Sequence, residues 1–168
     1  MFDGIFAIAM TILVLELKLP ELQDKRSVRE LGTALLRHGR TFFSYIISFA
    51  ILGGFWIGHN RIYAKLNRIS KAALVIHIWL LATAALLPFC AHLYGRYPGN
   101  PLASLIYFGG VIFYVLGMLA LVLAAEKQKL FDPDIPAGDI KKLRRGFLMS
   151  VGMLTLTYLF VFVLRVLE

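Results

Sequence analysis

The stretch that decides the fold is the first, Met1-Phe2-Asp3-Gly4-Ile5-Phe6-Ala7-Ile8-Ala9-Met10-Thr11-Ile12-Leu13-Val14-Leu15-Glu16. An acid lies at its start, and the twelve residues from Gly4 to Leu15 carry no charge. As a helix these twelve residues rise about 18 Å, whereas the hydrocarbon core of a bilayer is roughly 30 Å thick. A helix this short is better suited to lie among other helices or beside water than to face lipid. We therefore predict a lining helix.

The composition predicts a membrane protein. Of 168 residues, 59% are hydrophobic and the mean hydropathy is +0.74, above the roughly 45–50% apolar content of soluble domains. The first stretch is not expected to be a cleaved signal peptide, because it lacks a basic start and a small-residue cleavage site. With Cys90 as the only cysteine, an intrachain disulfide and a cysteine-rich metal site are excluded. The net charge of +8 is interpreted as membrane topology rather than nucleic-acid binding, because the basic residues gather between apolar runs.

The apolar runs predict an all-α polytopic bundle with five spans in a single domain, residues 1–168. The first span covers about residues 2–19 and is stopped by Pro20. A polar connector that can form a helix follows it. The other spans are predicted at about 41–63, 72–94, 102–125 and 146–167.

Basic residues between the spans predict the orientation. With the N-terminus inside, the inner loops hold ten Lys and Arg residues and the outer loops hold six. Because basic residues accumulate on the cytoplasmic side, the N-terminus is predicted to be cytoplasmic. Five of the six outer basic residues lie in the first loop.

One face of the first helix carries large aliphatic residues. Ile8, Ile12 and Leu15 fall at helical spacing, with Thr11 between them. From periodicity alone this stripe is ordinary helix packing. Lining of a pore is the alternative that the spacing leaves open.

The residues of the first two spans resemble a known family. The segment Asp3-Gly4-Ile5-Phe6-Ala7-Ile8-Ala9-Met10-Thr11, running on to Leu15-Glu16, is similar to the first helix of the bacterial transmembrane protein 175 potassium channels. The likeness continues in Phe43-x-Tyr45-x-x-Ser48-Phe49 and in Trp56-x-x-His59-Asn60 with Tyr63. It extends more loosely through Leu87-Pro88-Phe89 and Tyr97-Pro98.

The resemblance implies a homotetrameric, potassium-preferring cation channel in a bacterial plasma membrane, with membrane lipid around it. The first helices would line the pore. Ile8 would form the narrowest ring, with Ile12 and Leu15 above it, and Thr11 would contribute to selectivity. The resemblance implies no cofactor, and potassium and other monovalent cations would be the permeant ions.

Physical chemistry is consistent with this implication. Channels select with carbonyl cages, charged rings or hydrophobic constrictions. The sequence contains no Gly-Tyr-Gly loop and no acid in the middle of the first helix, which leaves the hydrophobic constriction. Selection of this kind, based on the lower cost of dehydrating potassium, is expected to be modest.

The sequence departs from the family pattern in two places. The family signature is Arg-x-x-x-Phe-Ser-Asp, but here Met1-Phe2 stand before Asp3, and the sequence begins too late for the arginine. The family also has a sixth span, whereas five are predicted here. A shortened start or end would explain part of this, and assembly and gating are affected more than the pore.

Three polar residues are predicted to anchor the first helix. Asp3 starts the first span, and His59 and Asn60 end the antiparallel second span, so they should lie at similar depth. A charge-assisted hydrogen bond from His59 or Asn60 to Asp3 would hold the helix in place. A solvated helix cap at Asp3 is the equally supported alternative.

Three other functions stay open at this point. A secondary transporter or proton-coupled carrier would need an ionisable or broken-helix site at mid-membrane. A haem-binding redox subunit would use His59 and His77, which are predicted to share a depth. A structural subunit would transport nothing itself. The sequence shows no nucleophile, base or phosphate-loop pattern at usable spacing, which argues against an enzyme.

Overall fold

The protein is helical in the computed structural model, which describes residues 2–15, 17, 21–97 and 99–166. Within these ranges lie six α-helices and no strand, apart from one isolated bridge between two loops. The predicted all-α class is therefore confirmed. The helices are α1 (Phe2–Leu15), α2 (Val28–Arg37), α3 (Gly39–Tyr63), α4 (Lys71–Arg96), α5 (Pro101–Lys127) and α6 (Ala137–Val166).

A helix overlaps each predicted span, and α1 ends at Leu15, before the predicted end of the first span. Over the described residues, three helical stretches are long and apolar enough to cross a membrane: Thr41–Tyr63, Lys71–Arg96 and Pro101–Lys127. α1 is apolar but shorter, as its sequence predicts. Residues 16, 18 and 19 of the first predicted span, and residue 167 of the last, lie outside the described residues.

The largest boundary difference is at α6, which begins at Ala137 instead of about residue 146. Its first turns carry Asp139, Lys141 and Lys142. An apolar pattern marks only the part of a helix that faces lipid or core, whereas the hydrogen-bonded helix continues into water. The polar connector is helical as expected, and the Ser27 side chain caps α2 by accepting a hydrogen bond from the Glu30 N–H.

The core is built around α5, which packs between α4 and α6. Tyr114, Met118 and Leu121 on α5 are almost completely buried. A Cβ atom at Gly117 would lie 2.8 Å from Leu80 Cδ2, so glycine allows α5 to approach α4 closely. Such close contact between small residues and a neighbouring helix is the usual source of helix association in a bilayer. α1 packs against α4 and also contacts α3.

Two loops are joined by backbone hydrogen bonds. The Asn67 N–H donates to the Leu130 carbonyl over 3.0 Å, and the Asp132 N–H donates to the Lys65 carbonyl over 2.9 Å. The loops at 64–70 and 128–136 therefore lie at the same end of the bundle. The start of α1 is at this end too, because the Phe2 ring stacks on His59 near the end of α3.

Candidate functional site

α1 has a buried face that attaches it to the bundle. Phe6, Ala9 and Leu13 are at most 2% exposed and lie three and four residues apart, which places them on one side of the helix. The Phe6 ring meets the ring of Tyr114 edge-on, with centroids 6.2 Å apart. This face fixes the rotation of α1 about its own axis.

The opposite face of α1 is uncovered and contains the predicted constriction residues. Ile8 is 60% exposed, Ile12 41% and Leu15 76%, and Thr11 is exposed among them. The structure thus brings the predicted stripe together on one outward surface. A continuous row of large apolar side chains with no cover from its own chain is typical of a contact or lining surface.

The Thr11 hydroxyl is held by its own helix. Its Oγ1 donates a hydrogen bond to the Ile8 carbonyl over 2.8 Å. Because the hydroxyl proton is donated to the helix backbone, the lone pairs of the oxygen remain available on the side away from that hydrogen bond. An oxygen in this state can accept a hydrogen bond from water or contact a cation.

Asp3 is anchored, but to a different residue from those predicted. The Trp56 Nε1–H donates to Asp3 Oδ1 over 2.7 Å, and the structure gives Asp3 no hydrogen bond to His59 or Asn60. The predicted partners are therefore corrected to Trp56, one helical turn earlier on α3. Asn60 is exposed and His59 is directed elsewhere.

His59 lies in an aromatic cluster at the start of α1. It is 2% exposed, and its Nε2 lies 2.9 Å from Nδ1 of His77. The Phe2 ring stacks on the His59 imidazole with centroids 3.4 Å apart, and Tyr63 stacks with centroids 4.2 Å apart. One imidazole must donate and the other accept in this bond. Sequence reasoning missed Phe2 as a member of this cluster, because an aromatic residue at a helix end has no distinctive spacing.

The same geometry argues against haem. Two histidine nitrogens that bind opposite faces of one haem iron stand about 4 Å apart, since each metal–nitrogen distance is about 2 Å. His59 and His77 instead bond directly to each other, and aromatic rings cover His59. Among the described residues no three His, Cys, Asp or Glu side chains form a metal-binding group.

The fold defines the class of protein: an integral membrane protein of packed, apolar helices. The family model for the endosomal/lysosomal potassium channel TMEM175 matches residues 1–88. The chain belongs to this family. The matched half contains α1, α3 and the Trp56, His59 and His77 positions. The family is one of ion channels, not of enzymes.

Relatives match over most of the chain. A potassium channel of Streptomyces collinus is 27% identical over 166 residues, covering 90% of this chain and 78% of the relative. A potassium channel of Chamaesiphon minutus is 26% identical over 167 residues, covering 96% and 81%. The mouse endosomal/lysosomal proton channel TMEM175 is 25% identical over 138 residues, covering 74% of this chain but 28% of the mouse protein.

The fold is similar to a solved structure as well. The crystal structure of a lysosomal potassium-selective channel TMEM175 homologue from Chamaesiphon minutus matches with a TM-score of 0.80 and 25% identity. The match covers 99% of this chain and 83% of that one.

Proposed function

We propose that this protein is a passive cation channel that prefers potassium and whose pore is lined by α1. The observation that carries the proposal is the division of α1 into a buried face at Phe6, Ala9 and Leu13 and an uncovered aliphatic face on the other side. Membership of a channel family and relatives named as potassium channels support it. The test is potassium and sodium flux into proteoliposomes that contain the purified protein. Passive flux that favours potassium is expected, and its absence would oppose the proposal.

The constriction is assigned to rings of Ile8, Ile12 and Leu15. An aliphatic ring offers an ion no ligands, so the ion must lose part of its hydration shell to pass, and such rings control wetting of the pore. All three side chains are on the uncovered face. Selection by such rings would rest on dehydration cost, which favours potassium moderately.

Thr11 is proposed to assist selection. Its hydroxyl oxygen keeps free lone pairs beside the aliphatic rings, because its proton is bonded to the Ile8 carbonyl. Thr11→Val keeps the side-chain shape and removes the oxygen. We expect this variant to conduct but with a lower potassium-to-sodium flux ratio. An unchanged ratio would contradict the role of Thr11.

The assembly is proposed to be a homotetramer. One short helix per chain cannot enclose a pore, so several copies must surround a common axis, and identical chains do so with cyclic symmetry. The uncovered α1 face would then point to the axis. Light scattering of the detergent-solubilised protein, corrected for bound detergent, measures the number of copies.

The contacts around Asp3 are proposed to anchor the pore helix. The Trp56 bond and the Phe2 contact with His59 attach the start of α1 to α3. Asn60, which follows His59 on α3, is still proposed to help anchor α1, although it makes no hydrogen bond to Asp3. Anchoring at one end leaves the rotation of α1 fixed while ions pass its other face.

The N-terminus is proposed to lie on the cytoplasmic side of a bacterial plasma membrane. The paired loops at 64–70 and 128–136 bring their basic residues to the same end as the start of α1, which fits the positive-inside rule. The test of this orientation uses two variants in which Cys90 is replaced by alanine and a single cysteine is placed at Asn67 or at Asn100. Each variant is labelled with a membrane-impermeant reagent. Asn67 should be protected in intact cells and Asn100 should react.

Proton permeation is the second candidate. The direct His59–His77 bond lies beside the start of α1, and animal members of the family are named proton channels. Proteoliposomes with an imposed pH gradient distinguish the possibilities. With a permeant counter-ion other than potassium to balance charge, a proton channel dissipates the gradient without potassium, a proton-coupled carrier needs both ions, and a potassium channel leaves the gradient in place.

A further inference from the structure

A crevice separates α3 from α6 at the end of the bundle that holds the two paired loops. It encloses about 670 Å³ and is lined on α3 by Gly54, Ile57, Gly58, Arg61 and Lys65. On α6 it is lined by Asp139, Lys142, Leu143, Gly146, Phe147 and Ser150. The two helices run in opposite directions here. The charged residues of both therefore meet at the mouth, and the small and apolar residues meet deeper in.

The mouth of the crevice is positively charged. Three basic residues and one carboxylate line it, which leaves a net charge of two. Asp139 is shared loosely between Lys65 and Lys142, with N–O distances of 4.0 and 3.9 Å. Arg61 is exposed and makes no ion pair within the described part of the chain. The mouth can accept an anion without first breaking a tight internal bond.

The depth of the crevice matches the start of an acyl chain. From Arg61 to Gly54, α3 rises about 10 Å, and from Lys142 to Ser150, α6 rises about 12 Å. A Cβ atom added to Gly54 or Gly146 would meet nothing within 4 Å, so the crevice is open beside both glycines. At Gly58, nearer the mouth, the nearest side chains are Met118 and Phe147, between 3.4 and 3.9 Å from such a Cβ, and they form an apolar back wall.

We infer that this crevice binds an anionic phospholipid, with its phosphate at Arg61, Lys65 and Lys142 and the upper part of one acyl chain against Gly54 and Gly146. Basic pockets between helices at the membrane surface recognise anionic headgroups in this way. Charge selects the headgroup, and the uncharged wall below it selects a molecule with an apolar tail over a free anion. The site is separate from the α1 face, so it does not depend on potassium conduction.

The test is lipid binding to the full chain in detergent by native mass spectrometry, titrated with phosphatidylglycerol and, separately, with phosphatidylcholine. We expect phosphatidylglycerol to bind more tightly. Each basic residue near an anionic lipid contributes about 1 kcal/mol, so the double variant Arg61→Gln/Lys142→Gln should bind phosphatidylglycerol roughly thirtyfold more weakly. The matched control is Lys141→Gln/Arg145→Gln, which removes two exposed charges from the same region without touching the crevice. The control should lose threefold or less.

Other outcomes would overturn the inference. Equal losses in both double variants would mean a diffuse basic surface with no site. Gly54→Leu tests the acyl wall, and it should weaken phosphatidylglycerol binding while inorganic phosphate fails to compete. Full competition by inorganic phosphate would mean that the crevice binds a free anion and not a lipid. If Gly54→Leu instead lowers the number of associated copies, the crevice holds a second copy of the chain. A thermal melt within a few degrees of wild type shows that each variant is folded.

Discussion

Replacement of Ile8 by asparagine tests the pore assignment most directly. In the protomer 60% of the Ile8 side chain lies outside the packed bundle. Complete burial of a large aliphatic side chain is worth about 1.5–3 kcal/mol, so its uncovered part opposes hydration by about 1–2 kcal/mol per chain. A barrier lowered by 1.36 kcal/mol gives a tenfold faster process. We therefore expect Ile8→Asn to raise potassium flux about tenfold or more and to lower the potassium-to-sodium ratio.

The assay is flux into proteoliposomes at matched protein content, with Val14→Asn as the control. Val14 is 47% exposed on the same helix, but six residues rotate it about 120° away from Ile8. The Val14→Asn substitution should therefore leave the constriction unchanged. Equal effects of the two variants would mean that any polar substitution loosens α1. No change in Ile8→Asn, with altered flux from a substitution on another helix, would refute the assignment of α1 as the pore helix.

Three further predictions concern the supports of α1 and the connector. Phe6→Ala should lower the free energy of unfolding by about 3–5 kcal/mol, as for other buried phenylalanines, and reduce the thermal midpoint; a variant as stable as wild type would oppose the buried face described for α1. Trp56→Phe removes the donor to Asp3 and should cost about 1–2 kcal/mol, measured by denaturation against Trp79→Phe, whose indole makes no hydrogen bond within the described residues. Two backbone N–H groups donate to the Glu30 carboxylate and hold its pKa below the usual 4.5; their support is complete above pH 4.5 and is lost as the pH falls through the depressed pKa. The protection factors of the connector amides, which correct for the intrinsic pH dependence of hydrogen exchange, should fall over that range in wild type but change little with pH in Glu30→Gln.

The bundle itself can be predicted from the sequence because each long apolar run has one stable form in a bilayer. Helices satisfy their own backbone groups where no water is present. The sequence also marks the starts of two helices. Ser70 caps α4 just before Lys71, and Asn100 caps α5 just before Pro101. The start of α6 escapes this reasoning, because five of its first nine residues are charged although the segment is helical.

Part of the arrangement on α1 follows from the sequence. The aliphatic face follows from a spacing of three and four residues, so Ile8, Ile12 and Leu15 fall together on it. The partner of Asp3 does not follow, because Trp56 and His59 differ by one turn, or about 5 Å along the axis. Side chains span that distance, so depth alone cannot choose between the indole and the imidazole. Packing decides which residue bonds to Asp3, because the His59 imidazole already stacks on Phe2 and hydrogen-bonds to His77.

The pairing of the two loops has a consequence for biogenesis. The hydrogen bonds between Asn67 and Leu130 and between Lys65 and Asp132 require both loops on one side of the bilayer. If one of α4 and α5 failed to cross, the loops would be separated by a hydrocarbon layer of roughly 30 Å. These bonds therefore form only after a complete helical hairpin has been inserted. They link the correctness of insertion to the stability of the finished protein.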